Sequence, residues 1–129
     1  MEGPPNTIYE NGFFQFMMEF PNGFPEKPLK FIFQTKIYHP NINSYGIVSV
    51  SILQDEYSAI LVRFNKIIIS IQSLLDDPNV DIFINQEAAK LYKENKKDYE
   101  NTVREWTLKY ANFDTVQNEL KKLNFEMII

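Results

Sequence analysis

Two residues in the middle of the chain could perform nucleophilic chemistry. The sequence has no cysteine and one histidine, His39, which excludes thiol catalysis, disulfides and the usual zinc sites. A serine needs a neighbouring base to become a nucleophile, and His39 precedes Ser49 by a short stretch of sequence. One hypothesis is a Ser49–His39 dyad. It predicts hydrolysis of simple esters that is lost in His39→Ala.

The segment before these residues has the pattern of two strands. Apolar residues alternate over 13–20 and again over 29–34, and the Pro/Gly-rich turn between them favours an antiparallel pair. The residues predicted to share a face are Phe14, Phe16, Met18 and Phe20 in the first strand, and Leu29, Phe31 and Phe33 in the second.

After residue 34 the apolar residues first show no regular spacing and then follow the spacing of a helix. Residues 35–61 predict a long, ordered loop. Helices are expected from Phe64 to the stop at 77–79, over 86–92, over 96–111 and from Phe113 onward, with Asp114 as the last cap. This order predicts an α+β domain. The apolar stripes are Phe64, Ile67, Ile68, Ile71, Leu74 and Leu75; then Tyr99, Val103, Trp106 and Tyr110; then Phe113, Val116, Leu120 and Leu123. The last stripe could dock a partner helix, although packing on its own domain is favoured.

Composition limits the partners. The net charge of −4 disfavours nucleic acid. No apolar run is long enough to span a bilayer, and the N-terminus lacks the pattern of a signal peptide. We expect a soluble protein of the cytoplasm and/or nucleus that needs no cofactor or metal.

Five groups of short motifs follow one another in a definite order. They are Gly3-Pro4-Pro5-Asn6-Thr7-Ile8-Tyr9-Glu10-Asn11-Gly12; Phe20-Pro21, Phe24-Pro25 and Pro28; Tyr38-His39-Pro40-Asn41-Ile42; Ser73-Leu74-Leu75 through Pro78-Asn79; and Arg104-Glu105-Trp106-Thr107 to Tyr110-Ala111. Together they resemble the ubiquitin-conjugating enzyme family. The resemblance implies a ubiquitin-conjugating-type core over residues 1–111, expected to lack the family's first helix and first two strands. Residues 112–129 are expected to form a helical extension of the same domain.

The resemblance also assigns a role to Ser49. The family's active-site cysteine lies eight residues beyond the asparagine of the His-Pro-Asn motif, and Gly46-Ile47-Val48-Ser49-Val50 occupies that place here. In the family this cysteine receives ubiquitin or a ubiquitin-like modifier from an activating enzyme and passes it to a lysine, usually with a ligase. Serine is far less acidic than cysteine and its ester is less reactive, so normal turnover should be lost.

The resemblance implies further site residues. Asn41 would donate to the oxyanion formed during amine attack, or it would only hold its own loop. His39 would hold the loop rather than act as a base. Near Asn79, the acidic residue that orients the incoming lysine would align with Asp81 or with Ile82. Ligase contacts would fall on Phe33, Pro28, Lys30, Ser58 and Ala59, although Phe33 could instead complete the apolar face of its strand.

The departures from the family pattern leave two functions open. The first is a conjugating enzyme whose cysteine has been replaced by serine, which would trap the modifier as an ester. The second is a naturally inactive variant that binds ubiquitin or acts as a scaffold. Ser51 replaces a common aspartate, and Tyr57-Ser58-Ala59-Ile60 lacks the proline of the family's Trp-Ser-Pro-Ala loop. Both favour the second function, whereas the retained His-Pro-Asn motif and C-terminal helices favour the first.

Overall fold

The computed structural model describes residues 1–128, with side chains described through Lys122. Two strands come first, and four α-helices follow a long loop that contains one short 3-10 helix. The elements are β1 (Phe16–Glu19), β2 (Lys30–Phe33), the 3-10 helix (Ser51–Leu53), α1 (Phe64–Asp76), α2 (Gln86–Glu94), α3 (Lys96–Tyr110) and α4 (Phe113–Ile128). The predicted α+β order is confirmed. Within the described residues, no helix is both long and apolar enough to cross a membrane.

The two strands form an antiparallel pair in which Phe16 lies opposite Phe33 and Met18 opposite Phe31. The rings of Phe16 and Phe31 stack with centroids 4.6 Å apart. The first predicted strand was too long. Before it, the N–H of Phe14 donates to the Met1 carbonyl instead of to β2. Beyond it, Phe20 is 48% exposed.

Helix α1 supplies the centre of the core through Ile67, Ile71 and Leu75, which are buried at four-residue spacing. The placement of Phe64 in the buried stripe was wrong, because this first residue of the helix is half exposed. Its ring packs edge-on against Phe20, with centroids 5.9 Å apart. The helix ends at Asp76, as Pro78 requires.

The last helices are fixed by asparagine caps. Asn95 ends α2 and begins α3, where its side chain accepts a hydrogen bond from the Asp98 N–H. The predicted cap of α4 was wrong: the side chain of Asn112, not Asp114, accepts from the Thr115 N–H at 2.8 Å. Phe113 is exposed on one side and packs against Phe13 on the other, with ring centroids 5.2 Å apart.

The apolar stripe of α4 is only partly inward-facing. Val116 is buried, whereas Leu120 is at the border of exposure. Leu123, which was also predicted to belong to the stripe, lies outside the described side chains. The described part of the stripe therefore packs on its own domain through Val116 and one side of Phe113.

Candidate active-site groove

Three consecutive residues attach the long loop to three different parts of the fold. His39, the first of them, is fully buried. Its Nδ1 accepts from the Asn41 N–H at 2.9 Å, so its Nε2 carries the proton and donates to the Leu74 carbonyl at 2.7 Å. Both ring nitrogens are thus occupied by backbone groups of the loop and of α1. The Ser49–His39 dyad is wrong, because no ring nitrogen is left for Ser49.

The environment of His39 also disfavours its charged form. Burial lowers the pKa of His39 from 6.5 to about 4, although the hydrogen bond to the Leu74 carbonyl acts in the opposite direction. A second proton on Nδ1 would also face the Asn41 N–H, which now donates a hydrogen bond to this nitrogen. His39 is therefore neutral at physiological pH and serves as a fixed link between loop and helix.

Pro40 connects the loop to the segment that begins α2. Its carbonyl accepts from the N–H groups of Ile84 and Asn85, at 3.0 and 2.9 Å. The side chain of Asn85 then caps α2 by accepting from the Ala88 N–H at 3.1 Å. The Pro40 carbonyl therefore joins the loop to the start of α2 through two hydrogen bonds.

Asn41 attaches the loop to the turn after α1. Its side-chain amide donates to the carbonyls of Asn79 and Ile82, at 2.9 and 2.7 Å, and accepts from the Asn79 N–H at 2.9 Å. The residue is 2% exposed. Both amide hydrogens are therefore used inside the protein, and donation to an oxyanion would require one of these two bonds to be released.

Gly46 turns the chain toward Ser49. It has φ +86°, and a Cβ there would lie 1.9 Å from the Phe33 carbonyl oxygen, so only glycine fits. Its own carbonyl accepts from the Phe33 N–H at 2.8 Å, and the Val48 N–H donates to the Phe31 carbonyl at 3.1 Å. The segment leading to Ser49 is therefore held alongside β2.

Ser49 lies directly beside Asn41 and is partly accessible. Its N–H donates to the Asn41 carbonyl at 2.9 Å. Its hydroxyl donates to Oε1 of Gln54 at 3.2 Å. Ser49 and Asn41 share a shallow groove of about 440 Å³ that runs along α1. The other lining residues are Val50, Ser51, Gln54, Asp55, Ile69, Ser70, Ser73, Leu74, Asp77, Asn79 and Ile82.

The groove combines an open hydroxyl with negative charge. The charged residues among those that line it are Asp55 and Asp77, both exposed. Ile69 and Ile82 give it exposed apolar walls. Its hydroxyl is chemically able to take up an acyl group, and its negative charge attracts a cationic group such as an amine. A larger depression of about 900 Å³, between the end of β2 and the start of α2, does not include Ser49.

The match to known sequences covers this whole arrangement. The family model described as ubiquitin-conjugating enzyme matches residues 1–107. The chain belongs to the ubiquitin-conjugating enzyme family. The α+β fold observed here is the domain of that family, with a short two-stranded sheet and four helices.

The structure also locates the two candidates for the family's acidic residue. Ile82 lines the groove, whereas Asp81 is exposed and is not among the lining residues. The Asn79 side chain sets this turn by accepting from both the Asp81 and the Ile82 N–H, at 3.2 Å each. The acidic groups on the groove are instead Asp55 and Asp77, which sequence reasoning missed. Asp77 directly follows α1. The predicted end of this helix was therefore the one feature of the sequence that could have indicated its position on the groove.

One of the five residues predicted to contact a ligase is buried in the structure. Phe33 is 3% exposed and packs edge-on against Phe14 and Phe31. It completes the apolar face of β2, and its ring offers no contact surface to a ligase. Pro28 and Lys30 are exposed, and Ser58 and Ala59 are half buried, so these four remain available for such a contact.

Proposed function

We propose that this protein accepts the C-terminal acyl group of ubiquitin, or of a ubiquitin-like modifier, on residue 49 and presents it to a lysine amine. With serine at this position, the acyl group is held as an ester rather than a thioester. The observation that carries the proposal is the accessible Ser49 hydroxyl beside Asn41 in the groove along α1.

The chemistry of the groove supports acyl transfer to an amine. The Ser49 hydroxyl lies within the groove, so an extended acyl chain can reach it along α1. Asp55 and Asp77 line the same groove and would attract a lysine ammonium group. Asn41 contributes mainly by holding the turn at Asn79 in place, and we propose donation to an oxyanion as its second role.

The side chain at position 49 decides the rate. A thiol has a pKa near 8.5, so a few per cent is thiolate at neutral pH without any base. A serine hydroxyl is far less acidic, and His39 has no free nitrogen with which to activate it. We therefore propose slow acylation and slow release, which makes this chain a trap for the modifier rather than an efficient carrier. Its partners would be an activating enzyme and a ubiquitin ligase.

Replacing the serine by cysteine tests this function. Ser49→Cys should form an adduct with ubiquitin in the presence of activating enzyme and ATP, because the thiolate supplies the missing nucleophile. The adduct is detected on a non-reducing gel and should disappear when a thiol reductant is added. The parent chain should give only a fainter, reductant-resistant adduct.

Ser73→Cys is the matched control, since Ser73 lines the same groove and is also a serine. It should form no adduct if residue 49 is the specific acceptor of the acyl group. Equal adducts on both variants, or none on Ser49→Cys, would contradict the proposal.

A second function is favoured by two residues of the groove. Ser51 lines it where the family pattern often has aspartate, Ile82 lines it while Asp81 does not, and Ser49 replaces the nucleophile itself. A chain with these changes could bind ubiquitin or a ligase without transferring anything. That function predicts no adduct on Ser49→Cys, together with ubiquitin-induced chemical-shift changes that are the same in the parent and in the Ser49→Cys variant.

A further inference from the structure

One side chain outside the predicted site contacts the reacting oxygen. Gln54 follows the short 3-10 helix directly, and its backbone N–H donates to the Ser51 carbonyl at 3.0 Å. This turn brings its side-chain amide back to Ser49, whose hydroxyl donates to Oε1 at 3.2 Å. Gln54 itself is exposed and lines the groove. Because it is exposed, its amide has room to rotate about its last torsion once that hydrogen bond is exchanged.

Acylation of Ser49 would change its side-chain oxygen from a hydrogen-bond donor into an acceptor only. The free hydroxyl has a proton to donate, so it requires an acceptor. The ester oxygen has no proton and requires a donor. A glutamine amide carries both a carbonyl oxygen and an NH₂ group, and a half-turn about its last torsion exchanges them. No other uncharged side chain of this length offers both.

We propose that Gln54 is a catalytic residue that accepts from the free Ser49 hydroxyl and then rotates to donate its NH₂ to Oγ of the acylated residue. This inference rests on the proposed acyl transfer to residue 49. In the acylated state the NH₂ group stabilises the negative charge that develops on Oγ as it leaves. A serine alkoxide is a poorer leaving group than a thiolate because its conjugate acid is far less acidic, so a donor is useful at Oγ.

In ester formation, Oγ forms a bond to the carbonyl carbon of the modifier, the thioester bond to the activating enzyme breaks and its sulfur leaves as thiolate, and the hydroxyl proton passes to solvent. In the release step, the lone pair of the amine nitrogen forms a bond to the ester carbonyl carbon, and the π electron pair moves onto the carbonyl oxygen. When that pair returns, the C–Oγ bond breaks and its electron pair leaves on Oγ. The proton lost by the amine nitrogen passes to Oγ through solvent. The products are an amide and the Ser49 hydroxyl, and Gln54 keeps its own protons throughout.

Two substitutions separate the accepting and donating roles. Gln54→Met has nearly the same length but makes neither hydrogen bond, so both ester formation and release should slow by roughly 3- to 10-fold. Gln54→Glu still accepts from the free hydroxyl, so ester formation should match the parent. Its carboxylate faces the ester oxygen with no proton to donate, so release near pH 7 should be at least as slow as in Gln54→Met.

The glutamate variant has a pH signature that a merely structural role would lack. A carboxyl group regains a donor proton near its ordinary pKa of about 4.3. The release rate of Gln54→Glu relative to the parent should therefore rise as the pH falls from about 7 toward about 4.5. The same ratio for Gln54→Met should stay constant.

The experiment uses the full chain with ubiquitin, activating enzyme and ATP, followed by release with hydroxylamine as the amine. Ester formation and loss are followed by intact-protein mass spectrometry. Gln34→Met is the control, because Gln34 is an exposed glutamine that does not line the groove, and it should behave as the parent.

The outcomes distinguish this inference from the proposed function. If the ester forms and all Gln54 variants release it at the parental rate, the role of Gln54 is refuted while acyl transfer stands. A uniform slowing of both Gln54 variants without the pH signature would also refute the donor role. If no ester forms on the parent and Ser49→Cys forms no adduct either, both proposals fail together.

Discussion

Asn41→Leu should lower the free energy of unfolding by about 4 kcal/mol. The substitution leaves the Asn79 and Ile82 carbonyls and the Asn79 N–H without the amide that now satisfies them, at 2.7–2.9 Å. Each group left unsatisfied in a partly buried position costs roughly 1–3 kcal/mol. Urea unfolding, followed by circular dichroism, measures the change. Acyl transfer to residue 49 should fall in parallel, because the turn at 79–82 forms one wall of the groove.

Asn43→Leu provides the matched comparison in the same loop. The Asn43 side chain accepts two backbone hydrogen bonds and donates none to the backbone among the bonds described; they come from Tyr45 and Ile47, and the first is exposed to solvent. Water can replace what is lost there, so we expect a change of about 1 kcal/mol. If Asn41→Leu were no more destabilising than Asn43→Leu, the anchoring role assigned to Asn41 would be incorrect.

The second large effect is a loss of stability in mild acid caused by His39. Its pKa is about 4 in the folded protein and near 6.5 when the chain is unfolded. Between these two values the unfolded chain binds more protons, so stability is full above about pH 6.5 and is lost as the pH falls toward about 4. The free energy of unfolding should be about 1.3 kcal/mol lower at pH 5.5 than at pH 7.5, and the loss should approach roughly 3 kcal/mol near pH 4.

His39→Asn identifies the source of this slope, since it removes the only imidazole in the chain. The variant should be less stable at every pH but nearly flat between about pH 7 and 5.5, above the range in which most carboxylates titrate. The N-terminal amino group of Met1, whose pKa is also lowered by burial, is present in both proteins and cancels in the comparison. An equal slope in both proteins would exclude His39 as its cause.

Much of the fold follows from the sequence because its periodic segments are long or sharply bounded. The α1 stripe at 67, 71 and 75, the stop before Pro78 and the alternation around β2 each specify one burial pattern. The errors occur at element ends. Phe20 and Phe64 continue an apolar pattern beyond the core and pack on each other instead.

The position of Ser49 beside Asn41 could be predicted only through the family resemblance. Residues 35–61 have no period, and the hydrogen bonds that hold them run to β2, α1 and the segment before α2. Such long-range bonds have no local sequence signal. For the same reason the sequence could not decide between Asp81 and Ile82, because a long-range bond from the Asn41 side chain to the Ile82 carbonyl helps to fix that turn.

Gln54 and Phe33 differ in how far the sequence could place them. Gln54 contacts Ser49 because a three-residue helical turn reverses the chain, and nothing in the spacing of polar residues marks that turn. Phe33 was a candidate contact for a ligase and is instead part of the core. The direction of the Gln54 side chain is set outside a regular element, whereas Phe33 lies within β2, where the strand alternation already indicated a buried position.

The proposed chemistry depends most on the claim that the hydroxyl of residue 49 receives the modifier's C-terminus. The direct measurement is peptide mass spectrometry of the unaltered chain after incubation with activating enzyme, ATP and ubiquitin. We predict an alkali-labile Gly-Gly remnant on Ser49. A remnant found only on lysine side chains, or on Ser51 or Ser73 instead of Ser49, would contradict that claim.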